Sequence, residues 1–340
     1  MHNRTLKFAI IGLLGLVALL IPVGTQDPYY MDVLIKMGFW VIMALGLQLI
    51  MTTGTVSVAQ VAFMGIGAYT SVLLVMKAGF SFWIAFPLSG IVAGVFALLI
   101  GIPALRTRGV YFIIVTLALS RVLQLVWTRW VGLFGGATGI QNIPPPEPIS
   151  FFGMGNIEFG YGHRVQYYYL VLIVMAIIAL VVYRLNWSRF GAICRSIREA
   201  EPLARSAGVN AFKYRLLVFV LGSFFAGFVG SLQAHYLFFI SSETFPLSGS
   251  MYVIIYLMIG GSAGVLGPFI GVIGLILLDE QLRFLKAWTP AFFGGILVVV
   301  MTFLPDGVAS LPQVLSRWFR KSPPSGDNSS PEAAAAVKGS

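Results

Sequence analysis

The sequence has one cysteine, three histidines and few charges: Asp, Glu, Lys and Arg together make up only 10% of its 340 residues. The single thiol, Cys194, excludes an intrachain disulfide and any cysteine-rich metal centre. With only His2, His163 and His235 to offer imidazole and no H-E-x-x-H motif, no metal site is expected. A G-x-x-x-x-G-K-[ST] loop is also missing, so the chain does not cradle ATP phosphates in the usual way. Gly260-Gly261-Ser262-Ala263-Gly264 matches G-x-S-x-G, but that motif needs a strand–turn–helix setting and a downstream base. No histidine follows His235, so the run is read as a glycine-rich helix break rather than a nucleophile elbow.

What is present is apolar. Hydrophobic residues are 58% and aromatics 14%, and the mean hydropathy is +0.89. Soluble domains run about 45–50% apolar and about 25% charged, so this chain needs lipid as its solvent. Its net charge of +10, from 22 basic against 12 acidic residues, fits basic cytoplasmic loops better than nucleic-acid binding. Asp32, Asp279 and Glu280 all fall near span ends, which leaves ion-coupled transport without a central carboxylate.

Charge-free stretches mark the spans, because about 20 apolar residues cross the ~30 Å hydrocarbon layer. They lie at 8–26, 37–76, 78–105, 109–120 (continuing past Arg121), 165–183, 216–242, 244–278 and 287–305. Residues 37–76 break at Thr52-Thr53-Gly54, and 244–278 break at Gly260–Gly264, so each holds two helices. The expectation is an all-α, polytopic protein with about ten transmembrane helices. Residues 8–26 follow Arg4 and Lys7 like a signal peptide, but Ile21-Pro22-Val23-Gly24 has no small-x-small cleavage site, so a retained helix is favoured. Alternate loops carry Arg4/Lys7, Arg106/Arg108, seven basic residues between Arg184 and Arg215, and Arg317/Arg320/Lys321. The positive-inside rule therefore puts both termini in the cytoplasm. Residues 1–315 form the transmembrane domain, 131–164 an outer loop, 186–215 a cytoplasmic loop and 316–340 a disordered Ser/Pro/Ala-rich tail.

The two breaks occupy matching positions in the two halves, and each precedes a Phe-x-Gly (Phe63-Met64-Gly65 and Phe269-Ile270-Gly271). Interrupted apolar segments in corresponding halves point to a transport pathway, because freed backbone groups can face a polar cavity. Close helix packing explains the same glycines equally well. Ser57 and Gln60 are the polar candidates for lining or gating a route, beside Gly65, Gly67 and Tyr69, with Gly260 and Gly264 in the second break. Within 186–215, residues 196–208 read as a short amphipathic helix. Ile197, Ala200, Ala204 and Ala207 make a small-residue face, Arg198, Glu199, Glu201 and Arg205 its rim, and Gly208 its C-cap. Composition alone leaves open whether this helix docks on a protein or lies on lipid.

At these motifs the chain resembles the inner-membrane permeases of branched-chain amino acid ABC transporters, of the LivM type. Residues 53–69 follow the family's TG-x-x-S-x-x-x-A-x-F-x-GIGAY pattern, with Val61 at its alanine position. Further matches are Leu105-Arg106-Thr107-Arg108-Gly109-Val110-Tyr111 with Thr116-Leu117, Gly135-Gly136-Ala137-Thr138-Gly139-Ile140, and the run from Ser188 to Tyr236. The resemblance covers about residues 30–310 in order and spacing. It implies a non-enzymatic permease that pairs with a second, homologous permease in the bacterial inner membrane. Two cytoplasmic ATPase subunits would bind the ATP and Mg, leaving this chain without a cofactor, and a periplasmic binding protein would deliver branched-chain or related amino acids. The resemblance assigns 186–215 to ATPase coupling and adds Thr116 and Arg121 to the pathway candidates. One departure concerns the solute: members often carry an acidic residue where Arg121 stands and a basic one where Gln124 stands. Permeases for urea or short amides share the scaffold. A self-sufficient channel or secondary carrier is the reading from another class, and such a protein would not need the 186–215 helix.

Overall fold

The computed structural model describes residues 27–281, apart from 108, 151–155, 161 and 262–263, together with isolated positions 22, 294, 295, 298 and 302. The expected first span (8–26), last span (287–305) and tail (316–340) thus lie almost wholly outside the described residues. Within them the chain is helical. Its α-helices are α1 (Pro28–Met51), α2 (Gln60–Met76), α3 (Phe82–Ala104), α4 (Val110–Arg129), α5 (Val131–Phe134), α6 (Arg164–Trp187), α7 (Arg189–Ser206), α8 (Ala211–Leu237), α9 (Leu247–Gly260) and α10 (Leu266–Gln281). A 3₁₀ turn, Ser242–Thr244, precedes α9. Five helices are long and apolar enough to cross a membrane: α1, α3, α4, α6 and α8. The shorter α2 follows the first break, and α9 and α10 flank the second.

One boundary moves. The charge-free stretch predicts a helix from residue 37, but α1 begins at Pro28. Asp27 caps it by accepting from the Tyr29 amide (3.0 Å), and Pro28 suits a first turn that has no donor to lose. Asp32 and Lys36 are therefore inside the helix, and Arg164 of α6 compensates Asp32 at 2.9 Å.

The centre of the bundle is α8, packed most extensively against α2 and α3, with α1 across its other side. Small residues set that intimacy. A Cβ on Gly67 would stand 2.2 Å from the Gly227 carbonyl oxygen, and one on Gly230 would stand 1.8 Å from that of Met64. Helices in lipid associate through such close backbone approach. The periphery differs sharply: 78% of the most apolar stretch of α1 is buried, against 17% of that of α4.

The described parts of the 131–164 loop are tied down rather than slack. Strand β1 (Ile140–Gln141) pairs antiparallel with β4 (Phe239–Ile240), and β2 (Ile149–Ser150) with β3 (Asn156–Ile157). His235, fully buried at the end of α8, donates from Nδ1 to the Pro144 carbonyl (2.7 Å). Its Nε2 then accepts from the Ser71 hydroxyl (3.0 Å), to which Ser231 donates in turn (2.8 Å).

Candidate functional site

The first break, residues 52–59, is non-helical backbone between two buried helices, so its polar groups need partners. Its start is closed locally. The hydroxyls of Thr52 and Thr53 donate back to the carbonyls of Leu49 (2.6 Å) and Ile50 (3.0 Å), and Gly54 turns the chain at φ +77°. Its end is closed from a distance. The Val58 amide donates to Thr116 Oγ1 of α4 (3.2 Å), and the Ser120 hydroxyl donates toward the Val58 carbonyl (3.3 Å). The Val61 amide, in the first turn of α2, donates to Ser250 Oγ in the first turn of α9 (3.1 Å). Three hydroxyls on two other helices thus hold the break open. Thr116 was among the sequence candidates; Ser120 and Ser250 were not, because a lone serine in an apolar run has no signature until its partner is known.

Replacing Thr116 with valine keeps shape and removes the acceptor of a buried amide, which costs about 1–3 kcal/mol. Thr116→Val is therefore expected to lower the melting temperature of the detergent-solubilised protein by several degrees, and unchanged melting would show that the break does not depend on α4.

The other pathway candidates divide. Ser57 is buried and accepts from the Ala59 amide (3.2 Å), a local turn contact. Gln60 is 1% exposed, and neither amide atom has a partner among the described residues. Its Nε2 sits beside the Gly46–Gly222 crossing of α1 and α8, so the side chain points into the bundle. Gly65 gives its face to Trp127 of α4, whose ring would meet a Cβ at 2.3 Å. Tyr69, also buried, packs at a tilt on that same Trp127 and on Phe245 and edge-to-face against Phe134, with centroids 5.1–6.1 Å apart. Gly67 serves packing against α8, as described. Gly260 lies against Gly267 and Gly271 where α9 meets α10, and Gly264 has open space around it. Among the described residues the second break makes no hydrogen bond to the first, while the Val61–Ser250 bond ties the starts of the helices α2 and α9. Arg121 is on the exposed face of α4, its guanidinium donating to Gln124 Oε1 (3.0 Å).

The predicted coupling helix needs a correction. It starts at Arg189, capped by Ser188, and leaves helical geometry at Ala200 (φ −150°, ψ 80°) before continuing to Ser206. Pro202 is the physical reason: it has no amide to donate to Arg198, and its ring crowds that turn. The single small-residue face thus does not exist. Ile197 and Ala204 are buried against Ala211 at the start of α8, with Ile193, Val209 and Tyr214 around them, while Ala207 is exposed. Glu201 is not a rim charge either; it is largely buried between Arg205 and Arg215, each at 2.7 Å. Arg198, Glu199 and Arg205 remain exposed, and Gly208, at φ +81°, follows the helix end as expected of a C-terminal glycine. The apolar side chain that α7 does show outward is Leu203, 71% exposed.

This helix also touches the break. A Cβ on Gly54 would lie 3.4–3.7 Å from Arg198, and the buried Cys194 thiol faces the Thr52 side chain. Burial pushes that thiol up to about 11, so it stays protonated and inert at neutral pH.

Comparison with known proteins agrees with this architecture. The family described as "Branched-chain amino acid transport system / permease component" matches residues 29–304. The chain is 29% identical over 288 residues to the high-affinity branched-chain amino acid transport system permease protein LivM of Salmonella typhimurium, which covers 79% of this chain and 67% of that protein. The LivM protein of Escherichia coli (strain K12) matches with the same identity and coverage. The autoinducer 2 import system permease protein LsrC of Salmonella typhi is 26% identical over 313 residues, covering 87% of this chain and 84% of its own. No solved structure matches. A multi-pass helical bundle with a hydroxyl-braced break, aligned with these permeases over most of its length, belongs to the family of branched-chain amino acid transport permease components.

Proposed function

We propose that this chain is the membrane-spanning permease subunit of an ATP-driven importer for branched-chain or related amino acids in the bacterial inner membrane. On this reading it pairs with a homologous permease, takes solute from a periplasmic binding protein, and is driven by two cytoplasmic ATPase subunits that hold ATP and Mg. The observation that carries it is the path from α7 into the bundle. Arg198 and Cys194 meet the start of the 52–59 segment, and Thr116, Ser120 and Ser250 hold its end. A shift of α7 thus reaches the irregular 52–59 stretch directly, without passing through another helix of the bundle. The basic residues of 184–215 put α7 on the cytoplasmic side.

Arg121 fits the pairing. A lipid-facing arginine in mid-span costs about 2.5–3.5 kcal/mol on insertion scales, and the face that carries it belongs to the least buried of the long helices. The second permease, or the water between the two, is the cover proposed for it. Arg121→Leu is accordingly expected to reduce co-purification of the second permease and to cut uptake several-fold; normal pairing and uptake would remove this assignment.

The test of the whole reading is reconstitution of the permease pair with its ATPases and binding protein in proteoliposomes, measuring labelled leucine. ATP-dependent uptake supports it. Leucine entry without the ATPase subunits would make the chain a channel or carrier, and uptake of urea but not leucine would make it an amide permease.

A further inference from the structure

At the end of the bundle remote from α7, a cavity of about 380 Å³ opens between α1 and α8 over Met64 of α2. Its polar lining is Asp32 and Lys36, one turn apart on α1, and Gln233 and Tyr236 on α8; Trp40, Met43 and Met64 supply apolar wall. The charges are unevenly satisfied. Asp32 Oδ1 already accepts from Arg164 Nε (2.9 Å) and from the Tyr236 hydroxyl, so this carboxylate is neutralised by the protein itself. Lys36 is exposed and makes no ion pair among the described residues. Gln233 Oε1 is buried with no hydrogen-bond partner among them. A buried acceptor left empty is costly, and a cation at the lip of an apolar cleft attracts an anion into it.

The geometry points to a seat for a zwitterionic α-amino acid with an apolar side chain. Its carboxylate would pair with the Lys36 ammonium, its ammonium would donate to Gln233 Oε1, and its side chain would lie on Trp40, Met43 and Met64. The volume is near the lower end of the ~300–1,000 Å³ usual for small-molecule sites, which suits one small amphipathic molecule rather than a lipid with two acyl chains. This inference rests on the importer reading above and deepens it, because the cavity is where solute released outside would first meet the permease.

The test is binding of tritiated leucine to the full-length permease in phosphatidylcholine nanodiscs, with leucinol (no carboxylate) and isocaproate (no ammonium) as competitors. Saturable binding is expected, with leucinol competing about tenfold more weakly than leucine, the worth of one charge-assisted contact. Lys36→Met should weaken leucine by a similar factor and erase its advantage over leucinol, and Lys36→Arg should restore both. Gln233→Leu should weaken leucine and leave isocaproate unchanged. The proposal is overturned if wild-type protein binds no leucine, or if Lys36→Met binds it equally well. It is also overturned if Lys36→Met alters capture of phosphatidylglycerol instead, which would make the cavity a lipid seat. Uptake by the assembled importer separates the two levels. Normal leucine uptake by both Lys36→Met and Gln233→Leu refutes this site and leaves the importer standing, whereas no uptake by wild-type refutes the importer reading itself.

Discussion

Gly67→Val is expected to abolish recovery of folded permease. The Cβ alone would lie 2.2 Å from the Gly227 carbonyl oxygen and 2.4 Å from its Cα, so the obstacle is backbone at the centre of the bundle, with no flexible side chain to swing aside. Overpacking a core typically costs 1–3 kcal/mol when neighbours can adjust; here α2 and α8 must separate along their shared face, and at least about 3 kcal/mol is expected. Gly94→Ala is the control, since its Cβ would stand 3.6 Å or more from Val220 and Phe224, an ordinary contact. That variant gains helix propensity worth up to about 1 kcal/mol and should melt at or above wild type. Size-exclusion profiles and melting curves in detergent decide the matter. A monodisperse Gly67→Val protein with wild-type melting would show that the α2–α8 contact is looser than described.

Leu203→Glu is expected to leave the permease folded and to disconnect it from ATP hydrolysis. Leu203 stands on the outward side of α7 and touches the bundle little, so a charge there is tolerated by the fold. On a protein that receives its work through contact, it is the apolar anchor a partner's groove would take. Substrate-stimulated hydrolysis by the assembled importer should fall about tenfold or more, the loss expected of a central contact residue. Ala204→Glu, one residue on, should behave differently. It drives a carboxylate into the cluster of Ile197 and Ala211, so melting falls together with hydrolysis. Intact stimulation in Leu203→Glu would show that this face lies against lipid headgroups and would take away the mechanical support for the importer reading.

The contrast between these neighbours shows what the chain discloses in advance and what it withholds. The first break is legible because hydroxyls and a glycine interrupt an apolar run, and the structure ends α1 at Met51 and resumes at Gln60. Helical spacing picks out Ile197 and Ala204, which are buried together, but it misses the kink at Ala200 between them and says nothing of what they face. The answer lies with Ala211 and Tyr214, beyond the turn. The start of α1 is hidden for a related reason. Asp32 reads as a charge that ends a span until Arg164 and Tyr236, more than a hundred residues away, are seen to satisfy it. Ser120 and Ser250 escape notice because a brace is recognised only by what it holds. The family pattern reached Thr116 by position; its role as acceptor for Val58 comes from the fold.

The ties of the 131–164 loop have a kinematic consequence. β1 is hydrogen-bonded to β4 just past the end of α8, Pro144 is fastened to His235 inside α8, and Trp83 Nε1 at the start of α3 donates to the Glu147 carbonyl (3.1 Å). A flap hinged on its own ends would have to break these bonds each time it opened. The loop is instead a lintel fixed across α3 and α8, so this end of the bundle opens only as far as those two helices tilt. Its timescale is then that of whole-helix movement rather than of loop fluctuation.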